Sequence, residues 1–216
     1  IGLVGSEMCI RDREKDLNCL YVDASRKQLA LGLAINTSWV SVKIPESRPD
    51  QILLPSLNQL CKKGGLSVTD LTHVIIINGP GSFTGLRVSV SVIHALDAVS
   101  SLICLPVDQL TALAMANDWV GPTVIDARMN EAYLANTRDK SGFYETLSVV
   151  AIDKLPDTDY LCHNEERLIF PGAAQSGTYS LSDLRSLANE QTACHWIPAS
   201  QLLSLIHISE PTRPID

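Results

Sequence analysis

The sequence predicts an α/β fold, because strand and helix patterns follow one another along the chain in a particular order. Three short apolar runs with brief polar breaks come first, as expected for an antiparallel meander. A helix, a buried strand and a second helix follow, after which strand patterns begin again. This order is the layout of the actin-like (ASKHA, ribonuclease H-like) fold. We therefore expect two related subdomains, the second of them truncated.

Hydrophobic spacing defines the elements of the first half. The meander strands are predicted over residues 17–25, 28–36 and 38–45. Apolar residues at helical spacing, closed by Gly64 and Gly65, predict a helix over 49–63. The run THVIIIN (72–78) predicts a buried strand. Residues 84–101 fit a strand by their Val-Ser alternation and a helix by their apolar stripe, and their length favours the helix.

The second half is predicted to open with a strand over 102–107 and a helix over 108–118, with Asp108 as the helix N-cap. Strands over 122–128 and 131–139, joined by a tight turn, come next. The remaining patterns predict a continuation of this unit over 141–152, a polar link over 153–159, a strand over 166–172 and a helix over 180–190.

The two ends of the chain do not resemble native protein. Codons for residues 4–11 and 205–212 can be chosen so that the two DNA strings are reverse complements over nearly their whole length. Such an inverted repeat is typical of sequencing adapter read in from both ends of a DNA fragment. We therefore expect residues 1–13 and 203–216 to be non-native tails. The predicted domains are an N-terminal actin-like subdomain at 14–103 and an incomplete C-terminal subdomain at 104–202.

Composition and charge exclude several classes of protein. The net charge of −7 and the pI of about 5.2 argue against a protein that grips nucleic acid by itself. No apolar run approaches the roughly 20 residues of a membrane span, so we expect no membrane contact. The six cysteines show neither a CxxC pair nor Cys/His metal spacing. This pattern predicts free thiols in a reducing cytoplasm and no metal site.

The stretch NGPGSFTGLR (78–87) lies between the predicted strand and the predicted helix. It lacks the GK[ST] ending of a P-loop, and its third glycine is misplaced by one residue for GxGxxG. An anion site at the helix N-terminus, assisted by Arg87, stays open as one interpretation. We favour a rigid turn in which Phe83 plugs the core and after which a helix docks on a partner. The predicted turn and partner interface consists of Gly79, Pro80, Gly81, Ser82, Phe83, Thr84, Gly85, Leu86, Arg87, Val90, Ile93 and His94.

Two strand ends are candidates for nucleotide binding, since phosphates in the actin-like fold lie between two hairpin loops, one in each subdomain. Asp23 and Ser25 are suitable residues for the first loop, and Asp126 for the second. However, residues 128–131 (RMNE) stand where close backbone approach to phosphate needs small residues. Asp23, Ser25 and Asp126 are therefore candidates for a vestigial nucleotide site, with turn and capping roles as the favoured alternative.

These motifs together resemble the TsaB (YeaZ) family of Gcp-like proteins. NGPGSFTGLR is followed by a helix, LPVDQLTALA (105–114) and VIDARMNEAYLA (124–135), in the family's order and spacing. VDAS (22–25) and ILLPSLNQL (52–60) agree with it, whereas Pro49 and Asp50 replace the family's usual His-Ser or His-Thr. The resemblance covers residues 17–150 and thins beyond them.

The resemblance implies a cytoplasmic protein with the actin-like fold, no catalytic residues and no cofactor of its own. It implies a role in making N6-threonylcarbamoyladenosine (t6A) at adenosine 37 of tRNA. The partner would be the paralogue TsaD, which transfers the group and is bound as a heterodimer through helices of the N-terminal subdomain. The ATPase TsaE would join them, a homodimer would use the same surface, and tRNA would be reached only through the complex.

Two other hypotheses stay open at this point. One is an ATP-dependent small-molecule kinase of the same fold, which would need phosphate-binding loops of the kind just described. The other is a peptidase-like protein, a label sometimes given to this family. The HxxxH metal pair that TsaD carries on a helix is missing from the sequence, which argues against the peptidase and against TsaD itself.

Overall fold

The computed structural model describes residues 17–45, 48–166, 170, 175–187 and 195–202, which form two β-sheets with helices packed against them. The strands of sheet A are β1 (Asn18–Asp23), β2 (Leu29–Ile35), β3 (Ser38–Ile44), β4 (His73–Gly79), β5 (Ile103–Asp108) and β11 (Ile197–Pro198). The strands of sheet B are β6 (Thr123–Arg128), β7 (Glu131–Ala135), β8 (Leu147–Ala151), β9 (Leu161–His163) and β10 (Gln175–Gly177).

The α-helices of the described residues are α1 (Pro49–Gly64), α2 (Phe83–Ser100) and α3 (Gln109–Ala116). Short 3-10 helices lie at Val68–Asp70, Ile152–Lys154, Asn164–Glu166, Leu181–Leu187 and Ala199–Gln201. Local sequence explains where the α-helices begin and end. Gly65 ends α1 in the left-handed conformation with φ +73°, and the Asp108 side chain caps α3 by accepting a hydrogen bond from the Thr111 amide at 2.8 Å.

Sheet A has the strand order β11-β5-β4-β1-β2-β3. Its first three strands form an antiparallel meander, whereas β4 and β5 run parallel to β1. Helices α1 and α2 cover one face, where Leu53, Leu57, Val90 and Ile93 pack on strand residues such as Leu31. Burial of each such side chain stabilises the folded chain by about 1.5–3 kcal/mol relative to leaving it exposed.

Sheet B has the strand order β10-β9-β6-β7-β8, with β6, β7 and β8 antiparallel and with β9 and β10 parallel to their neighbours. Helix α3 lies between the two sheets. Its buried residues Leu110 and Leu113 share one apolar cluster with Ile75 of sheet A and with Ile125 and Leu161 of sheet B. The two sheets therefore share part of their core.

The segment 195–202 returns to sheet A. Strand β11 pairs antiparallel with β5, and the Ala199 amide donates to the Leu102 carbonyl oxygen at 3.2 Å. The predicted boundary between residues 103 and 104 falls at the start of β5, which hydrogen-bonds to β4 in sheet A. Division of the chain at that point stays a prediction.

The α/β class with two sheets is confirmed, and so are the meander, the strand before the glycine-rich stretch and the helical assignment of 84–101. The pattern at 180–190 forms a 3-10 helix rather than an α-helix over its described part, Leu181–Leu187. Most of the predicted strand at 166–172 lies outside the described residues, as do both predicted tails. Among the described residues, no helix is long and apolar enough to cross a membrane, and the four cysteines are free thiols.

Candidate functional site

The glycine-rich turn joins β4 to α2 and lies directly against the loop that follows β1. A Cβ atom on Gly81 would overlap the carbonyl oxygen of Ser25, and one on Gly85 would overlap that of Ala24. The Ser82 amide donates a hydrogen bond to the Ser25 carbonyl oxygen at 2.6 Å. Glycine is therefore required at 81 and 85 because two backbones touch there, as the interpretation of a rigid turn predicts.

The same turn fixes the beginning of α2. Gly79 has φ +123°, a conformation that favours glycine, and it is buried together with Pro80, to which it is joined by a cis peptide bond. The Ser82 side chain caps the helix by accepting a hydrogen bond from the Gly85 amide at 3.2 Å. The first turn of α2, including the exposed Thr84, is therefore held against the loop after β1.

Helix α2 has one face in the chain's own core and another in solvent. Leu86, Val90 and Ile93 are 1–2% exposed, so a partner cannot contact them while the chain is folded. This burial is a correction to their assignment as partner contacts, because they hold the helix on sheet A instead. The exposed residues of α2 are Phe83, Thr84, Arg87, Ser91, Ala95, Ala98 and Val99. An interface on α2, which remains a prediction, has to be formed by these side chains.

The prediction that Phe83 plugs the core is wrong. Phe83 is 44% exposed, and the Arg87 guanidinium lies over its ring, 3.7 Å from the centroid. The reason is its position as the first residue of α2, directly after the capping residue Ser82, where the helix has its solvent side. The cation–π contact covers part of the ring in place of the core.

His94 ties α2 to the returning segment. Its Nε2 atom lies 2.9 Å from the Ala199 carbonyl oxygen, and since a carbonyl only accepts, Nε2 is the donor. Ala199 is fully buried. His94, which the sequence assigns to the predicted interface, therefore makes a packing contact within the chain.

The carboxylate of Asp23 lies at the end of β1, where the residue is 3% exposed. Its Oδ1 atom accepts hydrogen bonds from the amide of Ser25 at 3.0 Å and from the Ser25 hydroxyl at 2.5 Å. Its Oδ2 atom accepts one from the Tyr179 hydroxyl at 3.0 Å and faces Nη2 of Arg26 at 3.5 Å. Burial, and then the charge of Asp23, raise the pKa of Tyr179 well above its ordinary value, so the phenol keeps its proton and donates.

Two further side chains extend the cluster around Asp23. Nη1 of Arg26 lies 2.7 Å from Nε2 of His163, and the guanidinium lies 4.3 Å from the centroid of the Tyr179 ring. Nε2 of Gln109 donates to the hydroxyl of Ser25 at 2.5 Å. The structure thus brings Asp23 and Ser25 together, but it pairs them with donors of the same chain.

Asp126, the third candidate, has different surroundings. Its Oδ1 atom accepts a hydrogen bond from the Arg128 amide at 2.8 Å, within its own hairpin, and its amide donates to Glu166 at 3.1 Å. The hairpin tip, residues 128–130, has φ values of +65°, +53° and +63°. Among the described residues, no hydrogen bond joins Asp126 to Asp23. Asp126 therefore acts as a turn residue, as the favoured alternative predicts.

A cavity of about 30 Å³ lies beside Asp23 and is also lined by Arg26, Lys43 and Tyr179. Ligand pockets are about ten times larger or more, whereas a water molecule needs a cavity of roughly 10–15 Å³. The cavity has room for one or two waters and not for a nucleotide. In the described part of the chain, no group of three or more His, Cys, Asp or Glu residues is arranged to hold a metal ion.

Comparison with known proteins identifies the family. A family model described as "TsaD: tRNA N6-adenosine threonylcarbamoyltransferase" matches residues 46–192, which is more than half of the chain. The chain belongs to this family. The similar curated proteins carry the name TsaB, which confirms the resemblance found in the sequence motifs.

Two of these relatives are named "tRNA threonylcarbamoyladenosine biosynthesis protein TsaB". The protein of Haemophilus influenzae is 27% identical over 127 residues, covering 56% of this chain and 54% of that protein. The protein of Escherichia coli (strain K12) is 32% identical over 111 residues, covering 48% of each. The chain spans about half the length of the curated relatives it matches.

The solved structure titled "YeaZ from Pseudomonas aeruginosa" shows the same fold. It superposes with a TM-score of 0.70 at 21% sequence identity, covering 86% of this chain and 97% of that one. The match covers most of both chains, and the actin-like assignment of the fold is confirmed.

The sequence motifs missed four side chains of the Asp23 cluster, namely Arg26, Gln109, His163 and Tyr179. Tyr179 lies 156 residues from Asp23 along the chain, and His163 lies 137 residues from Arg26. No local pattern reports contacts over such separations. Gln109 could have been found from the sequence, because a polar residue at the start of the strongly apolar helix QLTALAMA indicates a buried hydrogen-bonding side chain.

Proposed function

We propose that the chain is a non-catalytic subunit that binds and activates a TsaD-type paralogue in the threonylcarbamoylation of tRNA adenosine to t6A. The proposal extends to this chain the activity that its TsaB relatives carry in their names. It places the protein in the cytoplasm with TsaD as heterodimeric partner and TsaE as a further component. The tRNA would be contacted through the complex, and a homodimer would compete for the same surface.

The observation that carries the proposal is the solvent-facing side of α2. Ser91, Ala95 and Ala98 are exposed and follow one another at helical spacing. Side chains this small allow the axis of a second helix to approach closely. On the neighbouring helix α1, Leu54 is 50% exposed, and Val99 near the end of α2 is 61% exposed. Helix α2 thus offers a strip of small residues with Val99 one turn beyond Ala95, and α1 adds an exposed leucine.

The surroundings of the strand-end aspartates support a subunit without phosphotransfer of its own. Asp23 accepts hydrogen bonds from Ser25 and Tyr179 of its own chain. Phosphoryl transfer instead needs carboxylates that hold Mg²⁺ and backbone loops that cradle phosphate. The tip of the second hairpin carries the side chains of Arg128 and Met129 where a cradle needs small residues.

Co-purification with a TsaD from the same source tests the proposed pairing. Ala95→Glu inserts a charge into the centre of the proposed contact, where a desolvated charge without a partner costs about 2 kcal/mol or more, which corresponds to about 30-fold weaker binding. We expect that loss of affinity in isothermal titration calorimetry, with an unchanged circular dichroism spectrum. Leu86→Asp is unsuitable as a test, because it would disrupt the core.

Val120→Glu is the matched control, since Val120 is 83% exposed and lies outside α1 and α2. It should bind TsaD as the wild type does. Equal binding by Ala95→Glu and the wild type would move the interface to another surface. Absence of any complex between wild-type chain and TsaD, combined with ATP turnover by the chain alone, would favour the kinase hypothesis instead. Calorimetry with Mg-ATP separates the two, because the proposed subunit lacks phosphate-binding loops and is expected to give little or no binding heat.

A further inference from the structure

We propose that the loop after β1 is a brace that fixes the orientation of sheet A relative to sheet B. The brace consists of Asp23, Ser25, Arg26, Gln109, His163 and Tyr179. The inference concerns the chain by itself, and it holds whether or not the proposed function is correct. It arises from side chains that neither the turn nor the proposed partner surface uses.

Two separate contacts of the brace cross from one sheet to the other. Asp23 at the end of β1 accepts a hydrogen bond from Tyr179, which follows β10 by two residues. Arg26 in the next turn of the chain contacts His163, the last residue of β9, at 2.7 Å. The Arg26 guanidinium also covers the Tyr179 ring, so the two crossings are joined.

The partners of Arg26 in the brace are buried, whereas the Arg26 side chain itself is 33% exposed. Asp23, Ser25, Gln109, Tyr179 and His163 are each at most 9% exposed. A carboxylate at such a site is costly unless hydrogen bonds and an opposite charge compensate it, and the brace supplies both. A guanidinium only donates, so the contact with Arg26 requires Nε2 of His163 to be unprotonated and to accept.

The brace supplies directionality that the shared apolar core lacks. The core between the sheets is built of residues such as Ile75 and Leu161, and apolar packing is attractive in any orientation. Hydrogen bonds with fixed donor and acceptor angles select one orientation. The other side of the same loop touches the turn before α2 through the bond from the Ser82 amide to Ser25. The brace therefore fixes the start of α2 and the ends of β9 and β10 in position relative to one another.

Amide hydrogen exchange on the whole chain tests the brace. Arg26→Gln removes the charge and the stacking over Tyr179 and weakens both crossings. Loss of a charge-assisted hydrogen bond corresponds to about tenfold or more in a local opening equilibrium. We expect amides of residues 161–163 and 175–179 to exchange about tenfold faster, with β2 and β3 unchanged. Arg87→Gln is the control, because Arg87 also covers an aromatic ring but makes that contact within α2.

Tyr179→Phe provides a second variant, since it removes only the hydroxyl and keeps the ring under Arg26. It should accelerate exchange in the same two segments by a smaller factor, and it carries the test if Arg26→Gln does not fold. Acceleration spread evenly over the chain would show that Arg26 contributes only general stability. Unchanged exchange in 161–163 and 175–179 in both variants would also overturn the proposal.

Discussion

The ends of strands β1 and β6 look alike in sequence and differ in the folded chain. Each strand finishes near an aspartate that is followed by a turn, VDAS in one and IDAR in the other. Asp23 is 3% exposed and is bonded across to the other sheet through Tyr179. The Asp126 carboxylate accepts from an amide of its own hairpin. One aspartate thus organises contacts between the two halves, whereas the other shapes a local turn.

The difference comes from what packs against each loop. The glycine-rich turn packs against Ala24 and Ser25 on one side of the first loop. Tyr179 and Gln109 hydrogen-bond to the same loop from its other side. The tip of the β6–β7 hairpin stands in solvent, with Met129 79% exposed. A strand-end aspartate therefore has no fixed role. Its role depends on whether neighbouring elements enclose it and bring donors to it.

The largest expected effect comes from breaking the enclosure of the first loop. In Gly85→Ala, the new Cβ would overlap the Ala24 carbonyl oxygen, which is backbone and cannot rotate away. Relief requires α2 and the loop after β1 to move apart, so we expect a loss of about 3 kcal/mol in the free energy of unfolding. Urea denaturation followed by circular dichroism measures it.

Gly65→Asn is the control for the glycine substitution. Gly65 has φ +73°, which asparagine tolerates, and a Cβ there would meet no atom within 4 Å. We expect its unfolding free energy to stay within about 1 kcal/mol of the wild-type value. An unfolding free energy of Gly85→Ala within about 1 kcal/mol of the wild-type value would show that the contact between residue 85 and the Ala24 carbonyl oxygen relaxes at little cost.

A direct comparison of the two aspartates gives the next largest effect. Asp23→Asn weakens hydrogen bonds to a buried carboxylate and removes the opposite charge beside Arg26, at a cost of about 2 kcal/mol. Asp126→Asn keeps an acceptor for the Arg128 amide, so we expect a change below about 0.5 kcal/mol. Thermal and urea unfolding of the two variants side by side measure the difference. Equal losses in the free energy of unfolding would show that the two aspartates stabilise the fold to the same extent.

The sequence predicted most elements of the first half because their patterns are local. Strands β1 and β4, within the runs at 17–25 and 72–78, are mostly buried on both faces of sheet A and form nearly continuous apolar stretches. The length of the run at 84–101 favours a helix over a strand. The buried stripe of this helix, Leu86, Val90 and Ile93, follows the period found in the sequence. The same stripe was assigned to a partner, because periodicity identifies an apolar face without telling what covers it.

The candidate site was less accessible to sequence reasoning. Asp23 and Ser25 stand in a short motif and were found, whereas the partners that decide their role come from β9 and the segment after β10. Phe83 was misassigned to the core, because composition cannot show that the first position of α2 faces solvent. Contacts between distant segments and the direction of single side chains depend on tertiary packing, which no spacing rule reports.

A smaller effect than the losses at Gly85 and Asp23, and one with the opposite sign, concerns the tip of the exposed hairpin. Met129 has φ +53°, a left-handed conformation that costs a residue with a side chain about 1–2 kcal/mol. Met129→Gly removes that cost and gives back part of it through the greater freedom of glycine in the unfolded chain. With the side chain 79% exposed, little apolar burial is lost. We expect a net gain of about 0.5–1 kcal/mol in the free energy of unfolding, measured by urea denaturation.

Asn130→Gly is the control for this substitution. At φ +63° it should gain less, because asparagine tolerates this conformation better than methionine. A loss of stability in Met129→Gly would show that the methionine side chain stabilises the hairpin through its contacts. The end of β6 would then resemble the end of β1, where side-chain contacts also hold the loop.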